Sequence, residues 1–514
     1  MTQVTQADAP AAPAPLFSKG YRWLVLSLLL AAYTFNFIDR TIISTIGQAI
    51  KIDLKLTDTE LGWLGGPAFA LLYTLLGVPI ARLAERYSRV WIITISLVIW
   101  SGFTAVCGLA GGFIQLLALR VGVGIGEAGC SPPAHSLISD YFEPKRRATA
   151  LSIYAFGIPL GSMVGAALGG WVAKEYGWRV AFMAVGAPGV ILALLFALLV
   201  KEPPRGHSDP PERAHIGPSA VAHAVAEGSH WLWSELKALG QVSAILFGKW
   251  PIMNIILGLT LTSFAGYGGG AFSAPYFIRT FGLDYATVGL VIGLIGGVSG
   301  GLGTLAGGFI SDRASKYGAK WYALTPAIGI AIAAPLYIIA YRQPDWHVAA
   351  AILLVPGIFA YTYLGPSFGV VQNVVETRQR ATAASLLLLF VNLIALGGGP
   401  VFTGWIIDSF AQFNFNHPGS GHIMQGLAGI FGGHENVGPA TLHFATACPG
   451  GVAPHGSSPA LALQCKGALV AATREGMIVT MLFLFWGATH YALAAIGLAK
   501  QLGDAADARK AREA

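Results

Sequence analysis

Two acids and two arginines stand inside stretches that are otherwise apolar: Asp39 and Arg40 within residues 22–46, Arg120 and Glu127 within residues 113–138. A charged side chain at the centre of an apolar membrane helix costs about 2.5–3.5 kcal/mol on insertion scales, so such residues are functional candidates by default. The plainer reading is a static buried ion pair, which need not report function. The four charges cancel. Protonating one carboxylate leaves the group at +1 and strands one arginine, a state relieved by rearrangement, by water or by an anionic ligand. That chemistry links a proton to binding. Glu127, in the stretch Gly-Ile-Gly-Glu-Ala-Gly, is the candidate for titration, and Asp39, beside Arg40, for orienting the arginines. At about 1.5 Å per residue, Arg120 stands level with Asp39 and can pair with it. Glu127 lies about 10 Å deeper on the same face as Arg120. Arg40 can reach towards it, and spacing alone leaves the pairing open.

Two enzyme-like patterns are weaker. Gly297-Val298-Ser299-Gly300 resembles the nucleophile stretch of intramembrane serine proteases, but it sits in a glycine ladder with no histidine placed for it. His135 and Asp140 have the spacing of an acyltransferase dyad, yet five residues apart on a helix they point about 140° from each other. Asp140 reads as a span-end residue near Arg146. No catalytic residue, cofactor or metal site is expected. Residues 409–473 hold five histidines with Cys448 and Cys465, in no tight ligand spacing. A Cys448–Cys465 disulfide is expected in an oxidising compartment. Cys107 and Cys130 lie in apolar runs and read as inert.

The elements that carry these residues are apolar. The chain is 54% hydrophobic and 11% charged, with mean hydropathy +0.61, whereas a soluble chain carries roughly 25% charged residues. Twelve apolar segments of roughly 20 residues, enough to cross about 30 Å of hydrocarbon, lie near 22–46, 61–84, 90–110, 113–138, 148–172, 180–200, 252–278, 287–310, 321–340, 348–372, 381–407 and 477–499. With the N-terminus inside, 22 Lys and Arg fall on the cytoplasmic side and 8 on the other, a positive-inside bias that makes both termini cytoplasmic. The net charge of +7 is thereby assigned to membrane orientation, not to nucleic acid. No cleavable signal peptide is read at the N-terminus, which lacks a basic n-region. The expected fold is an all-α membrane protein of twelve helices in two pseudo-symmetric six-helix bundles. Its parts are a tail 1–20, a bundle 21–200, a cytoplasmic linker 201–250, a bundle 251–500 with an extracytoplasmic loop 409–475, and a tail 501–514. Within the linker, Trp231–Phe247 mixes Trp231, Trp233, Leu236, Leu239, Val242 and Leu246 with charges, which predicts an amphipathic helix on the membrane surface.

The halves repeat. Arg147-Ala-Thr-Ala-Leu-Ser152 recurs as Arg380-Ala-Thr-Ala-Ala-Ser385, and the loop holding Glu85, Arg86 and Arg89 recurs around Asp312 and Arg313. Duplicated halves around a midplane site are a transporter architecture. An acid followed by arginine at a span end can bridge helices in one conformation and release them in another, so Glu85, Arg86, Arg89, Asp312 and Arg313 form a candidate latch. Gly157, Gly161, Gly165 and Gly169, and again Gly289, Gly293, Gly297 and Gly301, form flat helix stripes for close packing.

These features together resemble the major facilitator superfamily, over nearly the whole chain. In the first half, Asn36-Phe-Ile-Asp39-Arg40, Arg120-Val-Gly-Val-Gly-Ile-Gly-Glu127-Ala, Ile158-Pro-Leu-Gly-Ser162 and Glu202-Pro-Pro-Arg-Gly206 resemble the Spinster lipid-transporter family. The resemblance implies the major facilitator fold, alternating access of the two bundles, proton coupling through Glu127 and an amphiphilic substrate such as a sphingolipid or lysophospholipid. Arg40 and Arg120 would meet its headgroup, and Tyr267, Phe272, Tyr361 and Tyr363 its tail. A monomer in a bacterial inner membrane is implied, with protons as the second partner. The Asn-x-x-Asp-Arg stretch also occurs in organic-anion carriers of the superfamily, which is the alternative for substrate. The long loop before the last span departs from the usual pattern.

Overall fold

The computed structural model describes residues 16–208, 240–375, 380–419, 423–431 and 443–503. Among these residues, eleven helices are long and apolar enough to cross a membrane, and a bent pair, Asp58–Gly77 and Pro79–Arg86, makes a twelfth if taken as one span. In chain order these are α1 (Lys19–Asp53), α2 (Asp58–Gly65 continued by Pro67–Arg86), α3 (Arg89–Cys107), α4 (Phe113–Glu127 and Ser131–Tyr141), α5 (Pro144–Ala155 and Gly157–Tyr176), α6 (Trp178–Leu199), α7 (Trp250–Phe281), α8 (Tyr285–Ala314), α9 (Trp321–Tyr341), α10 (Trp346–Ala360, extended through Leu364–Asn373), α11 (Arg380–Phe390, a π-helical turn Val391–Leu396, and Gly397–Asn416) and α12 (Pro459–Ala494).

Local chemistry sets many of the boundaries. Ser18, Ser88 and Ser458 cap α1, α3 and α12, each accepting the backbone N–H of the third helical residue. Thr57 and Glu60 form a reciprocal capping box on α2. Asp284 and Asp345 cap α8 and α10. Each sits outside its span with a carboxyl held below the usual carboxylate range, chiefly by the backbone N–H groups it accepts from the helix start.

Buried apolar side chains sort by half. One cluster gathers residues from Val242 to Leu498 with Leu61 as its first-half member; two others are built from the first half, with Leu396 as the second-half intruder. The α5 glycine stripe seats on α1: a methyl at Gly165 would lie 2.8 Å from Ile38 Cα, and one at Gly157 3.1 Å from Thr34 N.

Two expectations are corrected. The last span begins at Pro459, not near residue 477, because Thr473, Glu475 and their neighbours are buried against other helices and need no water. Much of the segment read as a loop is therefore helical, including Ile423–Phe431 and Phe444–Ala447. Of the linker helix, Trp231, Trp233, Leu236 and Leu239 lie outside the described residues. Val242 and Leu246 are buried in the second-half core and do not face a membrane surface.

Candidate functional site

α4 breaks directly after Glu127. The Gly-rich run lets α4 approach α3, so that a methyl at Gly126 would lie 2.6 Å from Trp100 N. Pro132 and Pro133 then start a new helical segment. The break presents the Glu127 carboxylate to α1, where Arg40 Nε donates to Glu127 Oε2 at 2.8 Å. The Glu127 side chain is wholly buried, while Arg40 keeps 22% of its side chain accessible. The guanidinium lies over three rings, 5.0 Å from Phe37, 4.6 Å from Phe69 and 4.5 Å from Tyr73.

Asp39 and Arg120 are both buried, but no hydrogen bond or ion pair joins them among the described residues. The expected pairing is replaced: Arg120 Nε points to the Leu64 carbonyl at 3.4 Å, and its guanidinium lies 5.8 Å from the Phe69 ring. Among the described residues, Arg120 Nη1, Asp39 Oδ1, Glu127 Oε1 and both amide atoms of Asn36 have no partner within hydrogen-bonding geometry. Buried polar atoms are normally satisfied, so this cluster has spare bonding capacity where the four charges meet. Asn36 entered the sequence reading only within the resemblance. The rings around Arg40 were missed, although Phe37 and Arg40 stand three apart on α1 and Phe69 and Tyr73 four apart on α2, each pair on one helix face.

Of the second-half aromatics expected at the tail side, Tyr267 and Tyr361 keep 40% and 39% of their surface accessible. Phe272 and Tyr363 do not line it. Phe272 is fully enclosed in the second-half core. Tyr363 is buried with its hydroxyl 2.9 Å from Ser263 Oγ. Residue type does not separate an aromatic core residue from a lining one.

The halves meet tightly at one end. Arg279 of α7 bridges to Asp58 of α2, at 2.5 Å for Nη2–Oδ1, and Lys51 Nζ reaches Asp58 Oδ2 at 2.6 Å. Asp408 of α11 accepts the Asp58 N–H at 2.9 Å, the Thr59 N–H at 2.7 Å and the Thr59 hydroxyl at 2.6 Å. This inter-half network was missed, because charges at span ends read as interfacial anchors. Towards the other end the halves part. A methyl at Gly293 of α8 would lie 3.0 Å from the Met163 carbonyl oxygen, one at Gly297 3.7 Å from Met163 Cβ, and one at Gly301 would meet nothing within 4 Å.

At that parted end Arg89 is buried. It bonds Asp140, Glu202 (2.7 Å), Ser136 (2.8 Å) and the Pro203 carbonyl (3.1 Å). Asp140 therefore pairs with Arg89, not with Arg146, which is exposed. The segment after α6 is strapped down: Arg205 donates to the Ala84 and Tyr87 carbonyls, and the Gly206 N–H to Asp140 at 3.0 Å. Glu85 and Arg86 are exposed. Asp312 accepts the Tyr322 hydroxyl at 3.2 Å and Arg313 lies 5.8 Å from the Phe309 ring. The described contacts of Arg89, Asp312 and Arg313 stay within their own halves. Ser299 donates to the Leu354 carbonyl at 2.9 Å and His135 packs edge-on against Tyr154. Cys448 and Cys465 form a disulfide.

Two bundles closed at one end around central charges are the geometry of a carrier, and residues 29–400 match the profile of the Major Facilitator Superfamily. The chain belongs to the major facilitator superfamily. The fold aligns with the crystal structure of a bacterial homologue of the human lysosomal transporter Spinster, inward-facing and unoccupied, at TM-score 0.78 and 35% identity, covering 94% of this chain and 99% of that one. The chain is 31% identical over 390 residues to an MFS-type efflux pump of Mycolicibacterium smegmatis, covering 76% of this chain and 85% of the pump. It is 26% identical over 406 residues to a hexuronate transporter of Bacillus subtilis, covering 78% and 91%. It is thus an integral membrane transporter of the superfamily, related to Spinster.

Proposed function

We propose that this transporter moves an amphiphilic lipid of the lysophospholipid or sphingolipid kind by proton-coupled alternating access. The observation that carries the reading is the buried Arg40–Glu127 pair, set among the aromatic rings of α1 and α2. An anionic headgroup would compete with Glu127 for Arg40, and protonation of Glu127 would release Arg40 to it. Arg120, with one unpartnered nitrogen, offers a second cation. A cavity of about 670 Å³ adds support for the tail. It lies on the seam between α2, α7 and α11 and is lined by residues such as Trp63, Leu71, Leu393 and Trp405, all large, apolar and exposed on the flank of the bundle. One helix separates headgroup and tail: Phe69 and Tyr73 of α2 face Arg40, while Pro67 and Leu71 face the cavity.

With the basic ends of the spans in the cytoplasm, the parted end faces inward and the chain works as a monomer in a bacterial inner membrane. No nucleic acid, metal or cofactor enters the cycle, and no covalent chemistry is assigned. The second reading, a small organic anion, is favoured by the hexuronate-transporter relative and by the same two arginines. Proteoliposomes with an imposed pH gradient separate the two. Movement of a fluorescent lysophospholipid without movement of glucuronate is expected. Glucuronate flux with no lysophospholipid movement replaces the lipid reading with the anion one.

A further inference from the structure

The loop that departs from the usual pattern is tied to the second half twice. Cys448 is bonded to Cys465 of α12, 17 residues on, and the Phe444 N–H donates to Gln412 of α11 at 2.7 Å. Its tip crosses to the first half. Pro449–Gly451 form a tight turn in which Gly450 and Gly451 both have positive φ, 69° and 83°, a conformation glycine adopts freely. The turn lies on the end of α1: a methyl at Gly450 would sit 3.0 Å from the Lys51 carbonyl oxygen and 3.2 Å from Ile52 Cα, and one at Gly451 3.7 Å from Lys51 Cε. Lys51 beneath it is 1% exposed and bonded to Asp58, the acid that Arg279 reaches from the second half.

We propose that this disulfide-braced loop is a clasp that holds this end of the transporter shut, and that opening here requires the Gly450–Gly451 tip to leave the end of α1. The inference rests on the alternating-access reading above. The loop must move with α11 and α12, because both ties are to them, whereas its seat belongs to α1. The halves cannot part at this end with the tip in place. The brace matters because the disulfide fixes the turn that presents the two glycines; an untied loop would lose orientational entropy each time it docked. Once the tip is off, water reaches the Lys51–Asp58–Arg279 network, and the three charges lose the low-dielectric setting that strengthens them.

Single-molecule energy transfer between maleimide dyes at Glu175→Cys in the first half and Leu463→Cys in the second, both exposed at this end, reads the separation of the halves without any substrate. Two unseating variants are compared with the parent: Cys448→Ser with Cys465→Ser, which removes the brace, and Gly450→Val, which keeps the disulfide and forces the tip off Lys51 and Ile52. Each is expected to raise the ratio of open to closed molecules at this end roughly fivefold, a shift in a pre-existing equilibrium. A variant of either kind that elutes and melts as a folded protein yet keeps the parent distribution overturns the clasp. A parent that opens here but moves no lysophospholipid ends the lipid reading and leaves the clasp standing. A parent that never opens here removes alternating access and the clasp together.

Discussion

Arg89 is wholly buried and meets two acids, Asp140 and Glu202, whereas Arg40 keeps accessible surface and meets one acid and three rings. The first arrangement is saturated and holds α3, α4 and the segment after α6 together. The second can exchange Glu127 for another anion while the rings continue to hold the guanidinium. Glu202 lies outside the spans. Burial pushes its carboxyl up, but the Val90 N–H, the Arg89 guanidinium and the Ser88 hydroxyl outweigh that and hold it below the usual carboxylate range. A carboxyl depressed on folding stabilises the fold above its unfolded value of about 4.3 and loses that contribution as pH falls through and below it. Glu202→Gln is expected to cost about 1–2 kcal/mol at neutral pH, read as a lower melting temperature in detergent, with the difference from the parent shrinking as the pH falls through and below the carboxylate range. A gap that persists at low pH would mean that Glu202 acts through packing alone. At this scale the sequence showed which charges are buried, since lipid makes each one conspicuous. It could not show that Arg40, not Arg120, takes a carboxylate, because both arginines have the reach and the break after Glu127 decides between them.

Among helices, spacing was the legible quantity and depth of packing was not. The α5 glycines stood out by their four-residue repeat, and in the structure they seat α1. The α8 ladder reads the same in sequence, yet its members differ: Gly289 and Gly293 meet α5, while a side chain at Gly301 meets open space. Gly165→Leu should therefore destabilise by about 1–3 kcal/mol or prevent folding. Gly301→Leu should melt as the parent does and lower transport, since closing the parted end brings α8 back against α5. Equal melting and equal transport for Gly301→Leu would contradict that motion. The start of α12 was misplaced for a related reason: Thr473 and Glu475 resemble loop residues until their partners, Arg279 and Asn414, are known.

In the whole molecule, the halves pack on each other through α2 against α11, α1 against α7 and α5 against α8, and at the closed end Arg279 adds two hydrogen bonds to Asp58 and one to Gln48. Arg279→Gln leaves Asp58 with Lys51 and weakens the closure. A cysteine at the buried position Ala472 should then react with a water-soluble maleimide roughly fivefold faster than in the parent background. An unchanged rate would place the closing force in the apolar contacts instead. Two six-helix halves were legible because the motifs repeat in order. The state of the molecule was not, because one sequence must serve both the open and the closed arrangement. The link between these charges and transport is tested most directly by lysophospholipid flux into proteoliposomes across a stepped series of pH gradients, with Glu127→Gln beside the parent. The parent's flux is predicted to rise with the gradient and the variant's to be indifferent to it; a Glu127→Gln flux that follows the gradient as steeply as the parent's would contradict coupling at Glu127.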